Sequence, residues 1–188
     1  MNWALDFMGS FKLSIDGKES DVIAIKDEVL RARSEGSMMF FAGNGASTTI
    51  ASHASLDYMN QLGIRCMCLN DPNVLTCFAN DFGYEEVFAR SLKIYGKPGD
   101  VVVLVSSSGM SKNVVEAAKV AKFMGIKVVT LTGFNNGNDL MSLGDINLWI
   151  DSKVYNVVEC AHMLMLVAVC DMIVSQEKEK IGVHGRNL

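Results

Sequence analysis

Five short runs rich in Val, Ile, Met and Phe, at 37–42, 64–69, 101–106, 126–131 and 146–150, constrain this chain more than any other feature. They are apolar continuously rather than alternately, so both faces must be covered, as in buried parallel strands. Each is closed by Gly, Asn, Ser or Asp. Between them lie stretches with helical spacing at about 20–35, 47–61, 72–93 in one or two pieces, 111–124, 138–143 and 154–178. Strand and helix alternate, which predicts an α/β fold, a three-layer αβα sandwich around a five-stranded parallel sheet. Right-handed crossovers favour the flavodoxin-like order 2-1-3-4-5, with strands 1 and 3 adjacent and a switch point between their C-terminal ends.

Trp3, Phe7 and Phe11 follow helical spacing and predict packing residues of an added N-terminal helix within a helical segment over 1–35. No linker, repeat or low-complexity tract interrupts the chain, so one domain is expected over 1–188, with a polar tail at 177–188 that frays. Met163 to Cys170, the longest apolar stretch, falls short of the roughly 20 residues a membrane span needs and reads as a buried helix, with no membrane as partner. Asp6 and Lys12 interrupt the N-terminal region, which argues against a signal peptide.

With 49% apolar and 20% charged residues, the chain is not a disordered one. Seventeen basic and 21 acidic residues give a net charge of −4, which argues against nucleic acid as a partner but allows a phosphorylated metabolite whose charge is met locally. Cys66, Cys68, Cys77, Cys160 and Cys170 lack zinc-type CxxC spacing and read as reduced thiols of a cytoplasmic protein. Twelve methionines and a mean hydropathy of +0.22 suggest apolar helical surface buried against other copies of the chain.

The chemistry concentrates in the loops after strands 1 and 3. The first reads Gly43-Asn44-Gly45-Ala46-Ser47-Thr48 and the second Ser106-Ser107-Ser108-Gly109-Met110-Ser111, and each opens a helix. Small residues let backbone N–H groups approach an anion, helix N-termini add partial positive charge, and hydroxyls add donors. Either loop alone would be read as a turn with Ser47 or Ser111 capping a helix. Together at one switch point they predict a phosphate cradle built without lysine. The third glycine of the dinucleotide fingerprint and the Walker lysine are both missing, so no nucleotide cofactor is expected.

His53 and Asp57 stand four residues apart on the first of these helices, and Glu159 and His162 three apart on the last. Two readings follow from the spacing. His53, Asp57 and Glu159, with or without His162, converge on a divalent metal such as zinc; or Glu159 pairs with a lysine or backbone donor and His162 is a satisfied core histidine. Asp81, in the turn Asn80-Asp81-Phe82-Gly83-Tyr84, is an acceptor for sugar hydroxyls if that turn faces the switch point.

From about Phe40 to Val174 the chain resembles the SIS (sugar isomerase) domain family, in its phosphoheptose isomerase branch. The segments that carry the resemblance are Gly43 to Ser47 with His53 beyond, Ala79 to Tyr84, Asp100 to Ser111 and Val128 to Gly133. The resemblance implies a homotetramer, or at least a homodimer, that interconverts sedoheptulose 7-phosphate and D-glycero-D-manno-heptose 7-phosphate for the heptoses of lipopolysaccharide or capsule. It implies phosphate binding by Ser47, Ser106, Ser108 and Ser111, with Ser107 beside them, and sugar contacts from Asn44 and Asp81. Zinc-type and acid/base positions fall on His53, on Asp57 where relatives carry Glu, and on Glu159 where they carry Gln. Eight residues past that Gln the relatives carry a histidine, and here the position is Val167. His162 lies about 140° around the helix from Val167 and is no substitute.

An isomerase of this kind moves a proton between adjacent sugar carbons through a cis-enediol, with Asp57 and Glu159 as the candidate acid/base groups. Two alternatives keep the same scaffold: a non-catalytic sugar-phosphate-binding protein, of the sensor or replication-initiator-associating type, and an isomerase of another phosphosugar.

Overall fold

The computed structural model describes residues 3–180. Helices α1 (Trp3–Ile15) and α2 (Glu19–Glu35) lead into strand β1 (Met38–Gly43). The chain then continues through α3 (Ala46–Leu62), β2 (Arg65–Cys68), α4 (Pro72–Phe82), α5 (Val87–Tyr95), β3 (Val101–Ser106), α6 (Lys112–Phe123), β4 (Lys127–Thr132), β5 (Ile146–Trp149) and α7 (Tyr155–Lys180). The five strands pair in parallel in the order β2-β1-β3-β4-β5, the expected one.

Successive side chains of a strand point to opposite faces, so one apolar run feeds two cores. Met39, Phe41, Val103, Val105, Val129 and Leu131 pack under α2, α3 and α7, and Phe40, Val102, Leu104 and Val128 under α5 and α6. Tyr58 of α3 is fully buried, meets Phe41 edge-on at 5.6 Å and donates its hydroxyl to the Leu166 carbonyl of α7 at 3.1 Å. This bond helps to set the register of α3 against α7.

Several expectations are refined. The 72–93 stretch breaks at Gly83 into α4, a 3₁₀ turn at Tyr84–Glu86 and α5. The short helix near 138–143 is only a 3₁₀ turn, Met141–Leu143. Helix α7 runs through Glu177, which pairs with Arg33, so the predicted frayed tail begins inside a helix, and 181–188 lie outside the described residues. Phe11 packs against the core while Phe7 is exposed; the packing of Trp3 lies outside the described side chains. Tyr155–Glu177 is long and apolar enough to cross a membrane by length and composition, beyond the short stretch expected. Half of its most apolar window is buried in the fold, against α3, α2 and α1, which accounts for its composition.

Candidate active site

Strands β1 and β3 are neighbours, so the loops that follow them open side by side. Asn44, Gly45, Ala46 and Ser47 of the first loop and Ser106, Ser107, Ser108 and Ser111 of the second line one pocket of about 260 Å³, closed by Tyr155 and Glu159 of α7. Gly43 makes the approach possible: a Cβ there would lie 2.7 Å from the Ser47 Cβ and 2.9 Å from the Ser47 carbonyl.

Neither Ser47 nor Ser111 serves as a side-chain cap. The N-cap of α3 is Gly45, and Ser111, at the N-cap of α6, makes no capping bond with its hydroxyl, which lies 3.2 Å from the Ser106 Oγ. Ser108 Oγ accepts from the Met110 N–H at 3.2 Å, and the buried Ser107 Oγ has no protein partner. The hydroxyls are therefore oriented by the loop while keeping donors for a ligand. The first turns of α3 and α6 add the main-chain donors that helix starts leave unpaired.

Glu159 is half-buried and, among the described residues, has no hydrogen-bond or ion-pair partner. It lines the serine pocket and also a neighbouring groove of about 520 Å³ between α3 and α7, whose other walls include Thr49, Ile50, Met163, Leu164 and Val167. His162, three residues on, turns away into the core. It is fully buried, its Nε2 lies 3.0 Å from the Thr132 carbonyl, and burial lowers its pKa to about 4. The carbonyl requires a donor, so Nε2 carries the proton of a neutral ring and Nδ1 is left without a partner. His162 lies in the core, as the second reading has it, with one ring nitrogen paired, while Glu159 lacks the lysine or backbone partner that the same reading gave it.

This histidine makes stability depend on pH. Above pH ~6.5 the ring is neutral folded and unfolded; as pH falls from there toward 4, only the unfolded chain takes up the proton, and stability is lost progressively, by roughly 3 kcal/mol in full. Urea unfolding between pH 7 and 4 is expected to show this fall, with a shallower slope in His162→Gln.

The other predicted residues are distributed differently. His53 Nε2 lies 3.1 Å from Asp57 Oδ2, a pair within α3 that does not reach the serine pocket. The Tyr58–Leu166 bond and the Cys170 thiol facing the Asp57 carbonyl at 4.0 Å fix how the two helices align, and place His53 beyond the stretch of α3 that meets Glu159. Glu159 sits at the level of Ala46 to Ile50, nearer the start of α3. Among the described residues no three His, Cys, Asp or Glu side chains gather closely enough to hold a metal, so the cluster expected from the spacing is not seen. A zinc site takes at least three protein donors, and at this place the chain offers two, His53 and Asp57. The donor set does not fit the metal.

Asp81 is also outside the pocket lining. At the exposed end of α4 its carboxylate accepts from Asn80 Nδ2 at 2.9 Å and lies 3.6 Å from the Cys77 thiol. Two residues of the site went unnoticed in the sequence, Asn113 and Tyr84. Asn113 and Asn44 exchange paired side-chain bonds of 2.8 and 2.9 Å, and the Tyr84 hydroxyl donates to Asn44 Oδ1 at 2.9 Å.

A doubly wound parallel sheet whose switch point holds a cationless serine cradle and one free carboxylate defines an α/β domain for phosphate esters. Residues 10–133 match the SIS domain family. The chain is 31% identical to the phosphoheptose isomerase of Akkermansia muciniphila over 96% of both chains, and 37% identical to that of Leptospira biflexa over 78% of this chain and 77% of the relative. Its fold superposes on the phosphoheptose isomerase of Neisseria gonorrhoeae with a TM-score of 0.85 at 27% identity, covering 92% of this chain and 96% of the other. The chain belongs to the SIS-domain family, in its phosphoheptose isomerase branch.

Proposed function

We propose that the protein is an aldose–ketose isomerase of a phosphosugar, interconverting sedoheptulose 7-phosphate and D-glycero-D-manno-heptose 7-phosphate. The observation that carries this reading is Glu159, an unpaired carboxylate that lines both the serine cradle and the adjoining groove. The phosphate sits among Ser47, Ser106, Ser107, Ser108 and Ser111. The open-chain sugar extends from it past Asn44 and along α3, with Asp81 coming in from the α4 turn. An extended carbon chain advances about 1.2 Å per bond, so six C–C bonds span about 7 Å. Six residues of helix from Ser47 to His53 span about 9 Å. A seven-carbon phosphate thus fits between the cradle and the His53–Asp57 pair, whereas a triose would stop short.

Glu159 takes the proton from one of the two reacting carbons and returns it to the other, through the cis-enediol. His53, oriented by Asp57, handles the proton that moves between the two oxygens. Zinc, which the resemblance implies, has too few donors in this chain, and no step is routed through it. Dialysis against EDTA is accordingly expected to leave kcat/KM within about twofold.

The purified protein incubated with sedoheptulose 7-phosphate is expected to produce the aldose, followed by chromatography of the products. No aldose at high enzyme concentration would overturn the assignment, and binding without turnover would favour the sensor alternative. The setting we infer is a cytoplasmic homotetramer that supplies heptose to lipopolysaccharide or capsule. Support comes from five unpaired thiols and from exposed Leu5 and Met8 on α1, Leu56 and Met59 on α3 and Leu164 in the groove, apolar surface that other copies would cover.

A further inference from the structure

A side-chain amide presents either a carbonyl or an N–H, and which one Asn44 offers to a ligand follows from a chain of bonds that starts on the backbone. The Val114 N–H lies 3.0 Å from Asn113 Oδ1. This N–H is shared with the Ser111 carbonyl, also at 3.0 Å, and a donor cannot face a donor, so the oxygen of Asn113 faces it and the nitrogen faces the other way. Asn113 is 2% exposed and cannot exchange this arrangement for water. Its oxygen then takes a hydrogen from Asn44 Nδ2 at 2.8 Å and its nitrogen gives one to Asn44 Oδ1 at 2.9 Å, which fixes Asn44 in turn.

Tyr84 closes the system. Its hydroxyl donates to Asn44 Oδ1 at 2.9 Å, so that oxygen has both lone pairs engaged. One hydrogen of Asn44 Nδ2 remains without a partner among the described residues, on a side chain that lines the serine pocket. The turn that carries Tyr84 is itself tied to the start of α6 by Lys112 and Glu85 at 2.9 Å. Three segments distant in sequence thus hold one amide.

We propose that Asn113 and Tyr84 are positioning residues that lock Asn44 as an N–H donor, so that the site gives a hydrogen to a carbonyl or hydroxyl oxygen of the sugar at this point and offers no acceptor there to a hydroxyl hydrogen. The proposal rests on the phosphosugar reading of the pocket. It concerns the sugar end of the ligand, whereas the serines concern the phosphate.

The test is a double-mutant cycle on the full chain, with Tyr84→Phe, Asn44→Ala and the pair. Tyr84→Phe is expected to lower kcat/KM for sedoheptulose 7-phosphate about tenfold and Asn44→Ala about a hundredfold, with the double variant no worse than Asn44→Ala alone. Inhibition by inorganic phosphate, which probes the cradle only, should be unchanged in all three. Multiplicative losses in the double variant, or Tyr84→Phe within twofold of wild type, would overturn the proposal. A second measurement needs no turnover: hydrogen exchange of the Asn44 side-chain amide, followed by NMR, should quicken at least tenfold in Tyr84→Phe, and unchanged exchange would also overturn it. Absent turnover by wild type, with quickened exchange in the variant, would sink the proposed activity and leave the positioning intact.

Discussion

Glu159→Gln is expected to lower kcat by roughly 10²- to 10⁴-fold, the range that a positioned acid/base group supplies. Inhibition by inorganic phosphate should change little. The resembling isomerases carry Gln at this position together with an imidazole eight residues later. In this chain that later position is Val167, which lines the apolar groove. The ionisable group that faces the pocket here is Glu159, and Gln keeps its size and hydrogen bonding while removing the ability to accept a proton. A fall in kcat with KM nearly constant would mark a group acting in the chemical step. Parallel losses in phosphate affinity would instead mark a collapsed cradle, and a variant as fast as wild type would remove Glu159 from the mechanism. Asp57→Asn, which weakens the hold on His53, is expected to show a smaller decrease of about tenfold.

Gly109→Ala is expected to destabilise the protein by about 4 kcal/mol, the sum of a left-handed backbone penalty of 1–2 kcal/mol and the loss of two or three buried hydrogen bonds. Gly109 has φ of +65°, and an added Cβ would lie 1.9 Å from Asn138 Oδ1. Asn138 is buried, accepts from the Met141 N–H at 3.0 Å and donates to the Asn135 carbonyl at 3.0 Å and the Gly133 carbonyl at 3.3 Å. It cannot retreat without breaking these. For a chain of this length the melting temperature should fall by on the order of 10 °C. Gly137→Ala provides the control, since φ there is +74° with no atom within 4 Å of the added Cβ. It should cost only the backbone penalty, and equal losses in the two variants would show that the contact with Asn138 is immaterial.

The strands and their order were legible because a strand covered on both faces has to be apolar throughout, and the runs ending at Gly43 and Ser106 are. The serine loops were legible from residue type alone. What the spacing could not supply was how far one helix is slid along another. The pairs His53/Asp57 and Glu159/His162 look equivalent on paper, yet α3 and α7 align so that Glu159 meets Ala46 and not His53. His162 lies on the side of α7 that faces the sheet, where burial holds it neutral. Asn113 escaped notice because an asparagine in the first turn of a helix is commonplace; only its contact with Asn44, 69 residues away, gives it meaning. Tyr84 looked like one more residue in a turn until its hydroxyl was seen to cross to the cradle.

The absence of lysine and arginine from the pocket lining bears on how ligand is captured. The hydroxyls and amides act at contact range, and the charged side chain of the lining, Glu159, repels an anion, so rising ionic strength should not weaken binding. The net negative protein adds a weak long-range repulsion of an anion, and encounter is then no faster than the unsteered diffusional rate. Such a site trades speed of capture for binding that survives high salt.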